Sequence, residues 1–455
     1  MIGLPYDRNA PKPSLLKSSI QEVPGVLSLA LPIIVGLASS TLIGVIDTIM
    51  IAPLGTAAMA AAGITTSALI IFYSAVFGLL SIIGIKIAQA KGAEDEAGVS
   101  SSLIHGLITA LGVGVIAAIV MMFAFPALSV LDQPEEVMAA LLPYWLAKSG
   151  VLVLYALLTV FRGFLNAVDR PWTASAVSFG AVLANIPLNY VFIGGLGEWN
   201  GLGLFGAGLA SLLANLFALA LFALIWRLAA GLERYHQKPK IRFGAVWRNV
   251  AEGAPVSLSY AGEGASYALA GLMLGFFGPA ALAANQVVHS IAAILYMLPI
   301  GMASAVSVRV GQAIGAKETQ RLRSIGTAAS GLLVSWLGVI AIALLFVRGD
   351  IAESLSHDPE VIAIAVNLFL ATAFMQVADG LQSTSVGALR GMLDVRIPAI
   401  VSLIAYWLFA LPAGYGLGFV LGYGPSGVWI GYGLGIFAAA AFLQHRFWKL
   451  TALEK

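Results

Sequence analysis

The chain runs to 455 residues, of which 60% are hydrophobic and only 10% charged, with a formal net charge of +2. An ordinary soluble domain carries about 25% charged residues, so this chain has too few polar side chains to cover a water-facing surface and needs a bilayer as its solvent. The small net charge offers nothing to nucleic acid, and the lack of cysteine excludes disulfides, thiol catalysis and Cys-ligated zinc or iron–sulfur sites.

Residues 1–24 form a polar segment with Asp7, Arg8, Lys12, Lys17 and Glu22. No apolar run with a cleavage site precedes the first long span, so the first helix is expected to act as its own insertion signal. Twelve apolar runs follow, at about 25–52, 61–88, 101–125, 137–161, 172–194, 204–229, 249–277, 281–308, 325–347, 361–388, 397–420 and 426–447. A span needs about 20 residues, and all twelve reach that length. The expected organisation is a first lobe over 25–229, a solvated basic linker over 230–248, a second lobe over 249–447 and a tail over 448–455. The linker has room for an interfacial helix at its end.

Lysine and arginine set the expected orientation. With the N-terminus in the cytoplasm, 22 of the 24 basic residues fall on the inner side, leaving Arg348 outside and Lys148 within a span. The outer loops carry Asp132, Glu135, Glu136, Asp350, Glu353, Asp358 and Glu360. An odd number of helices would scramble this pattern. Both termini are therefore expected in the cytoplasm.

The chain also repeats itself. At a shift of 223 residues, positions 32–93 align with 255–316 without gaps and 17 of 62 are identical. Pro32 meets Pro255, Met50 meets Met273, Gly55 meets Gly278, Tyr73 meets Tyr296, Lys86 meets Arg309, Gln89 meets Gln312 and Gly92 meets Gly315. Each half then holds six helices. An even number makes the repeats parallel, about an axis along the membrane normal, with a substrate path between two lobes. The fold class read here is an all-α membrane protein of twelve transmembrane helices, in two parallel six-helix repeats around a central cavity.

Three acids fall inside spans: Asp47 in the first, Glu263 in the seventh and Asp379 in the tenth. A charge at the centre of a membrane helix costs about 2.5–3.5 kcal/mol on insertion scales, so three together cost roughly 8–10 kcal/mol. Cation or proton coupling is the functional reading. The structural alternative is a carboxylate that caps a broken helix or bonds a neighbouring hydroxyl. Asn185 and Asn189, one turn apart on one helix face, and Asn215 on the next helix suggest a polar pocket near Asp47, or interhelical hydrogen bonds alone. Lys148 is expected to snorkel or to pair with an acid. If Glu263 and Asp379 approach each other, one takes a proton or a cation sits between them. Sodium suits such oxygen ligands. His289 is more often simply hydrogen-bonded than a proton relay, and the Gly-rich stretch 431–435 follows no strand and reads as helix packing.

The segments DTIMIAPLG (47–55), NIPLNYVFIGG (185–195), MLPIGMASAVSVRVGQAIGA (297–316), DGLQSTSVGALRG (379–391) and YWLFALPAGYGLG (406–418) resemble the multidrug and toxic compound extrusion (MATE) family, in its NorM-like branch. The resemblance spans essentially the whole chain, in order. It implies a secondary antiporter in the bacterial inner membrane that expels cationic, amphipathic drugs and takes in sodium or protons. It implies no catalytic residue and no cofactor, with small-molecule drugs, Na+ or H+ and membrane lipids as partners of a monomer. The family's second-lobe acidic pair matches Glu263 and Asp379, which are also the positions for Na+. The first-lobe acid matches Asp47, with Asn185 and Asn189 as nearby polar positions. One departure stands out: where NorM-like members can carry a tyrosine one turn before the helix-10 acid, this chain has Met375.

Three rival readings remain. A flippase of lipid-linked saccharide in the same superfamily would put arginines in mid-span, and there are none. A membrane-embedded transferase would need a catalytic His or Asp at a membrane face, whereas His105, His236 and His445 stand alone. A passive channel has no need of two repeated lobes.

Overall fold

The structure, a computed structural model, describes residues 14–131 and 134–452, which leaves Arg8, Lys12, Asp132 and Lys455 outside the described residues. It is built from twelve long helices: α1 (Leu15–Ile51), α2 (Thr56–Gly92), α3 (Glu96–Ala124), α4 (Glu135–Ala167), α5 (Pro171–Asn189), α6 (Gly203–Leu228), α7 (Phe243–Met273), α8 (Pro279–Gly315), α9 (Arg321–Leu355), α10 (Pro359–Gly391), α11 (Arg396–Val420) and α12 (Gly424–Leu450). Among the described residues β-pairing is confined to one isolated bridge, Leu196 with Trp199.

Eleven of these helices are long and apolar enough to cross a membrane unaided. All twelve runs expected from the sequence are present as long helices. The exception in apolarity is α7, which is long enough but carries Arg248, Glu252, Ser257, Ser259 and Glu263 along its length. It enters the bundle by packing against α2 and α11. All twelve helices start earlier than their apolar runs, α1 and α7 by the widest margins. The Ser14 hydroxyl caps α1 by accepting from Lys17 N, and α7 begins at Phe243.

The repeat is visible in the backbone. A 3-10 turn over Ala52–Leu54 ends at Gly55 with φ 95°, and its counterpart over Leu274–Phe277 ends at Gly278 with φ 108°. Their ψ values of 178° and 170° put both in a region essentially reserved for glycine. The two halves also meet symmetrically. A Cβ on Gly78 would lie 2.9 Å from Ser257 Cα, and one on Gly301 would lie 3.3 Å from Ile34 Cα. Gly78 and Gly301 are repeat equivalents, and so are Ile34 and Ser257. Each half thus presents the same glycine to the same position of its partner, as a rotation about one axis requires.

The two faces of the bundle differ. Lys86, Lys91, Arg309, Arg321 and Arg446 gather on one face, where they pair with Glu252, Asp169, Glu22 (which takes both Arg309 and Arg321) and Asp394. Every hydrogen bond and ion pair joining the halves among the described residues lies toward this basic face. A single apolar cluster there draws on both halves, from Val26, Leu80 and Phe164 to Val306, Leu333 and Leu389. Toward the opposite, acidic face the core divides. Ile51, Leu69, Trp145 and Leu204 pack within the first half, and Leu274, Phe369, Tyr406 and Trp429 pack within the second.

The linker is less solvated than its composition suggested. Leu232 and Tyr235 are buried, with the Tyr235 ring edge-on to Phe164 at 5.9 Å and its carbonyl accepting from Ser100 Oγ at 2.9 Å. His105 Nε2 accepts from Arg242 N at 3.0 Å. These apolar and imidazole anchors tie the segment to the basic ends of α3 and α4, while Lys238 and Lys240 remain exposed.

Candidate functional site

Each half holds one polar cluster inside its apolar core. In the first half, α1, α4, α5 and α6 converge on Asp47, which is 5% exposed. Its Oδ2 accepts from Lys148 Nζ and from Ser211 Oγ, both at 2.9 Å, and its Oδ1 accepts from Asn189 Nδ2 at 2.7 Å. Lys148 Nζ also donates to Ser211 Oγ at 2.8 Å and stands 5.3 Å from the centre of the Tyr144 ring. Asn189 Nδ2 reaches Asn185 Oδ1 at 3.0 Å. The side-chain atoms Asn185 Nδ2 and Asn189 Oδ1 remain buried without a partner.

The structure therefore brings together Asp47, Asn185, Asn189 and Lys148. Asn215 sits apart: it donates to the Ser211 carbonyl at 2.8 Å, and Ser211, one turn nearer the acidic face, makes the contact with Asp47 instead. The i, i+4 spacing on α6 decides this, because only one of two residues a turn apart lies at the depth of Asp47.

In the second half, Glu263 on α7 accepts from the Tyr296 hydroxyl at 2.5 Å. The Tyr406 hydroxyl donates to Gln382 Oε1 at 3.2 Å. Tyr406 also accepts from Gln382 Nε2 at 2.9 Å. Asp379 on α10 is 6% exposed. Ser383, one turn further along α10, lines the cavity beside Glu263. Neither acid forms an ion pair with a lysine or arginine among the described residues. Arg390 is the nearest cation to act on Glu263, but its guanidinium bonds the Tyr260 hydroxyl at 3.0 Å and stacks on that ring at 4.8 Å.

A cavity of about 20 Å3 lies against Glu263, lined also by Tyr260, Tyr296, Gln382, Ser383, Tyr406 and the engaged Arg390. That volume admits one water or a small ion. The helix that supplies Tyr406 is irregular there, with wide π turns over Ala405–Ala410 and Gly416–Val420. Another π turn, Tyr190–Gly194, follows Asn189. Such turns recur at functional sites because they displace side chains from the regular helical register.

The MatE family model matches residues 32–191 and again 255–415. The chain belongs to the MatE family. The two matched stretches begin 223 residues apart, the same shift that aligns Pro32 with Pro255. The chain is 33% identical to a probable multidrug resistance protein NorM of Bradyrhizobium diazoefficiens, over 86% of each chain. It is 30% identical to the multidrug resistance protein PmpM of Pseudomonas aeruginosa, covering 93% of this chain and 90% of that one. Among solved structures, the Vibrio cholerae MATE transporter VcmN in its bent form superposes with a TM-score of 0.87, at 20% identity, over 96% of this chain and 99% of that one. At that identity the likeness speaks for the fold alone, and the multi-pass membrane character rests on the apolar helices and the NorM relatives.

Within this MatE chain, sequence reasoning overlooked the tyrosines around the second-half acids. One signal was present. Tyr73 and Tyr296 are repeat equivalents, and each stands by the intramembrane charge of its own half, Tyr296 bonded to Glu263 and Tyr73 within the field of Lys148 and Asp47. Ser211 had no such signal, since a serine in a membrane helix usually bonds its own backbone. His289 meets the Tyr267 hydroxyl at 3.1 Å on an exposed position and touches neither acid.

Proposed function

We propose that this MatE chain is a secondary multidrug efflux antiporter. It exports cationic, amphipathic compounds in exchange for Na+ or H+ by alternating access, in the bacterial inner membrane with both termini cytoplasmic. The observation that carries the reading is the pair Glu263 and Asp379: Glu263 lines a small cavity inside the bundle, Asp379 is buried one turn before Ser383 in its wall, and neither is ion-paired to a lysine or arginine among the described residues. Two buried acids that share a site cannot both stay ionised without a cation or a proton, so taking up one or the other is what this site can do. The multidrug resistance names of the relatives support drug export and disfavour a lipid-linked saccharide flippase.

The donors fit a hard cation. The carboxylates, the Tyr406 hydroxyl and the Gln382 and Ser383 side chains are oxygen-bearing groups of the kind sodium takes. Met375 adds none, being buried in the second-half core. Tyr406 and Tyr432 bring hydroxyls into the field of the same two acids. The halves are pinned at the basic face, which the excess of lysine and arginine assigns to the cytoplasm. The arrangement is then outward-facing. A drug cation and the coupling ion compete for the same negative charge, and each biases the halves through its differential affinity for the two states.

The test is ethidium transport in proteoliposomes under an imposed sodium gradient or an imposed pH gradient, one at a time. Gradient-driven transport is expected in the natural protein and is expected to fall in Glu263→Gln and in Asp379→Asn. Natural rates in both variants would overturn the reading.

A further inference from the structure

The two polar clusters differ in charge, and this difference divides the labour between the halves. In the first half the acid has a cation of its own. Asp47 and Lys148 are 5% and 8% exposed and lie 2.9 Å apart. The contact is fully furnished: the carboxylate receives donors from Lys148, Ser211 and Asn189, and the ammonium donates to Asp47 and Ser211 while facing the Tyr144 ring. The cluster is neutral as it stands. A proton added to Asp47 would leave the ammonium buried without a counter-charge, and a second cation would crowd the first. In the second half neither Glu263 nor Asp379 has an ion-paired lysine or arginine among the described residues, and the Arg390 guanidinium that lines the Glu263 cavity is engaged by Tyr260.

We propose that Lys148 is the resident counter-cation of the first half. It holds Asp47 ionised and keeps it out of the exchange of protons and coupling ions, so that this traffic runs through Glu263 and Asp379. Lys148 is thus a positioning residue, acting through Asp47. The inference rests on the antiport reading for its consequence, but its own content is the protonation state of one carboxylate. Removing one partner of a buried ion pair leaves the other uncompensated, whereas removing both together is often neutral. Lys148→Met therefore sets Asp47 free to bind a proton, and Asp47→Asn in the same chain takes that proton site away.

The experiment is proton uptake by the purified protein in detergent, read with a pH indicator, across the natural chain, Lys148→Met, Lys148→Arg and the double variant Asp47→Asn with Lys148→Met. The expected result is an additional proton-binding step in Lys148→Met only, absent from the natural chain and from the double variant. Lys148→Arg keeps the positive charge and is expected to titrate as the natural chain does. The proposal is overturned if the natural chain shows a protonation step that the double variant lacks, or if Lys148→Arg shows the extra step as strongly as Lys148→Met. Should the double variant not fold, the contrast between Lys148→Met and Lys148→Arg decides alone. No gradient enters the measurement, so a failure of gradient-driven transport would count against the antiport reading and leave this result standing.

Discussion

Gln89 and Gln312 occupy the same position in the two halves, and each crosses to the other half's fourth helix. Gln89 Nε2 donates to the Gly391 carbonyl at 2.9 Å, at the end of α10, and Gln312 Nε2 donates to the Ala167 carbonyl at 3.0 Å, at the end of α4. Helix ends leave carbonyls without intrahelical partners, so each glutamine serves as a cap that belongs to the opposite half. Gln312 Nε2 also reaches Asp169 Oδ1 at 2.9 Å. Any state that opens the basic face has to break both caps.

Gln89→Ala and Gln312→Ala are each expected to destabilise the closed basic face by about 1 kcal/mol, the net value of a typical hydrogen bond. That corresponds to roughly a fivefold shift in population toward the state open at that face. The chain has no cysteine, so spin labels on introduced cysteines at the basic ends of α2 and α8 would read the distance between halves without background. Unchanged distance distributions in both variants would remove the glutamines from the gate.

Beside each glutamine stands a glycine that allows the approach. A Cβ on Gly92 would fall 2.0 Å from the Gln312 carbonyl oxygen, and one on Gly315 would fall 1.9 Å from the Gln89 carbonyl oxygen. Neither oxygen is the tip of a flexible side chain, so the backbones themselves would have to part. Gly92→Ala and Gly315→Ala are each expected to open the basic face more than loss of a glutamine does, in the same labelling experiment. An open face in one variant only would mean that the halves are not equivalent there.

The ion pairs at this face follow the repeat as well. Lys86 and Arg309 are equivalents, and each reaches an acid on the first helix of the other half: Lys86 Nζ to Glu252 at 2.6 Å, and Arg309 to Glu22 at 2.8 Å. Glu22 also takes Arg321 Nε at 2.7 Å, which makes it the more heavily engaged acid. Glu22→Gln is expected to lower thermal stability by roughly 1.5–3 kcal/mol, the range for hydrogen bonds to charged groups, and Glu252→Gln by less, since its side chain is 33% exposed. Thermal unfolding in detergent at low and high salt measures both, and the Glu252 effect should be the more strongly screened.

Much of this was legible in the sequence because duplication leaves identical residues at a fixed shift. Pro32 with Pro255, Gly55 with Gly278 and Gln89 with Gln312 announced two parallel halves, and the structure uses the glycines for turns and the glutamines for the contact between halves. The Asp47–Lys148 pair was only half legible. Lys148 was expected to snorkel or to pair, but 101 positions separate it from Asp47, and no helical periodicity relates residues on α1 and α4. Ser211 in place of Asn215 was hidden for a related reason, since amide and hydroxyl a turn apart differ in depth and depth is set by packing. α7 was legible by its length rather than its apolarity, because a helix that lines a polar site needs partners more than it needs lipid.

The paired glycines allow a direct test of equivalence. Gly55 and Gly278 adopt φ 95° and 108° with ψ near 180°, where a side chain costs about 1–3 kcal/mol. Gly55→Ala and Gly278→Ala are expected to destabilise by similar amounts, since neither position has a heavy atom within 4 Å of the added Cβ and backbone strain alone is at stake. Thermal unfolding of the two variants should agree to within about 0.5 kcal/mol, the usual additive scatter of independent sites.

The tyrosines near the second-half acids separate a ligand-orienting role from simple packing. Tyr296 donates to Glu263 at 2.5 Å, whereas the Tyr432 hydroxyl is engaged by Ser266 Oγ at 2.7 Å. Both rings sit close enough to the acids to feel their charge. Tyr296→Phe removes a hydrogen bond to a charged group, for which about 1.5–3 kcal/mol is typical, and it frees the Glu263 carboxylate to rotate away from the cavity. The half-saturating concentration of the coupling cation for ethidium efflux is expected to rise roughly tenfold, the equivalent of about 1.4 kcal/mol. Tyr432→Phe leaves the Glu263 contact in place and is expected to change it by no more than about threefold, or roughly 0.7 kcal/mol on the same scale. Equal effects of the two variants would show that the hydroxyl on Glu263 has no special part in setting the cation site.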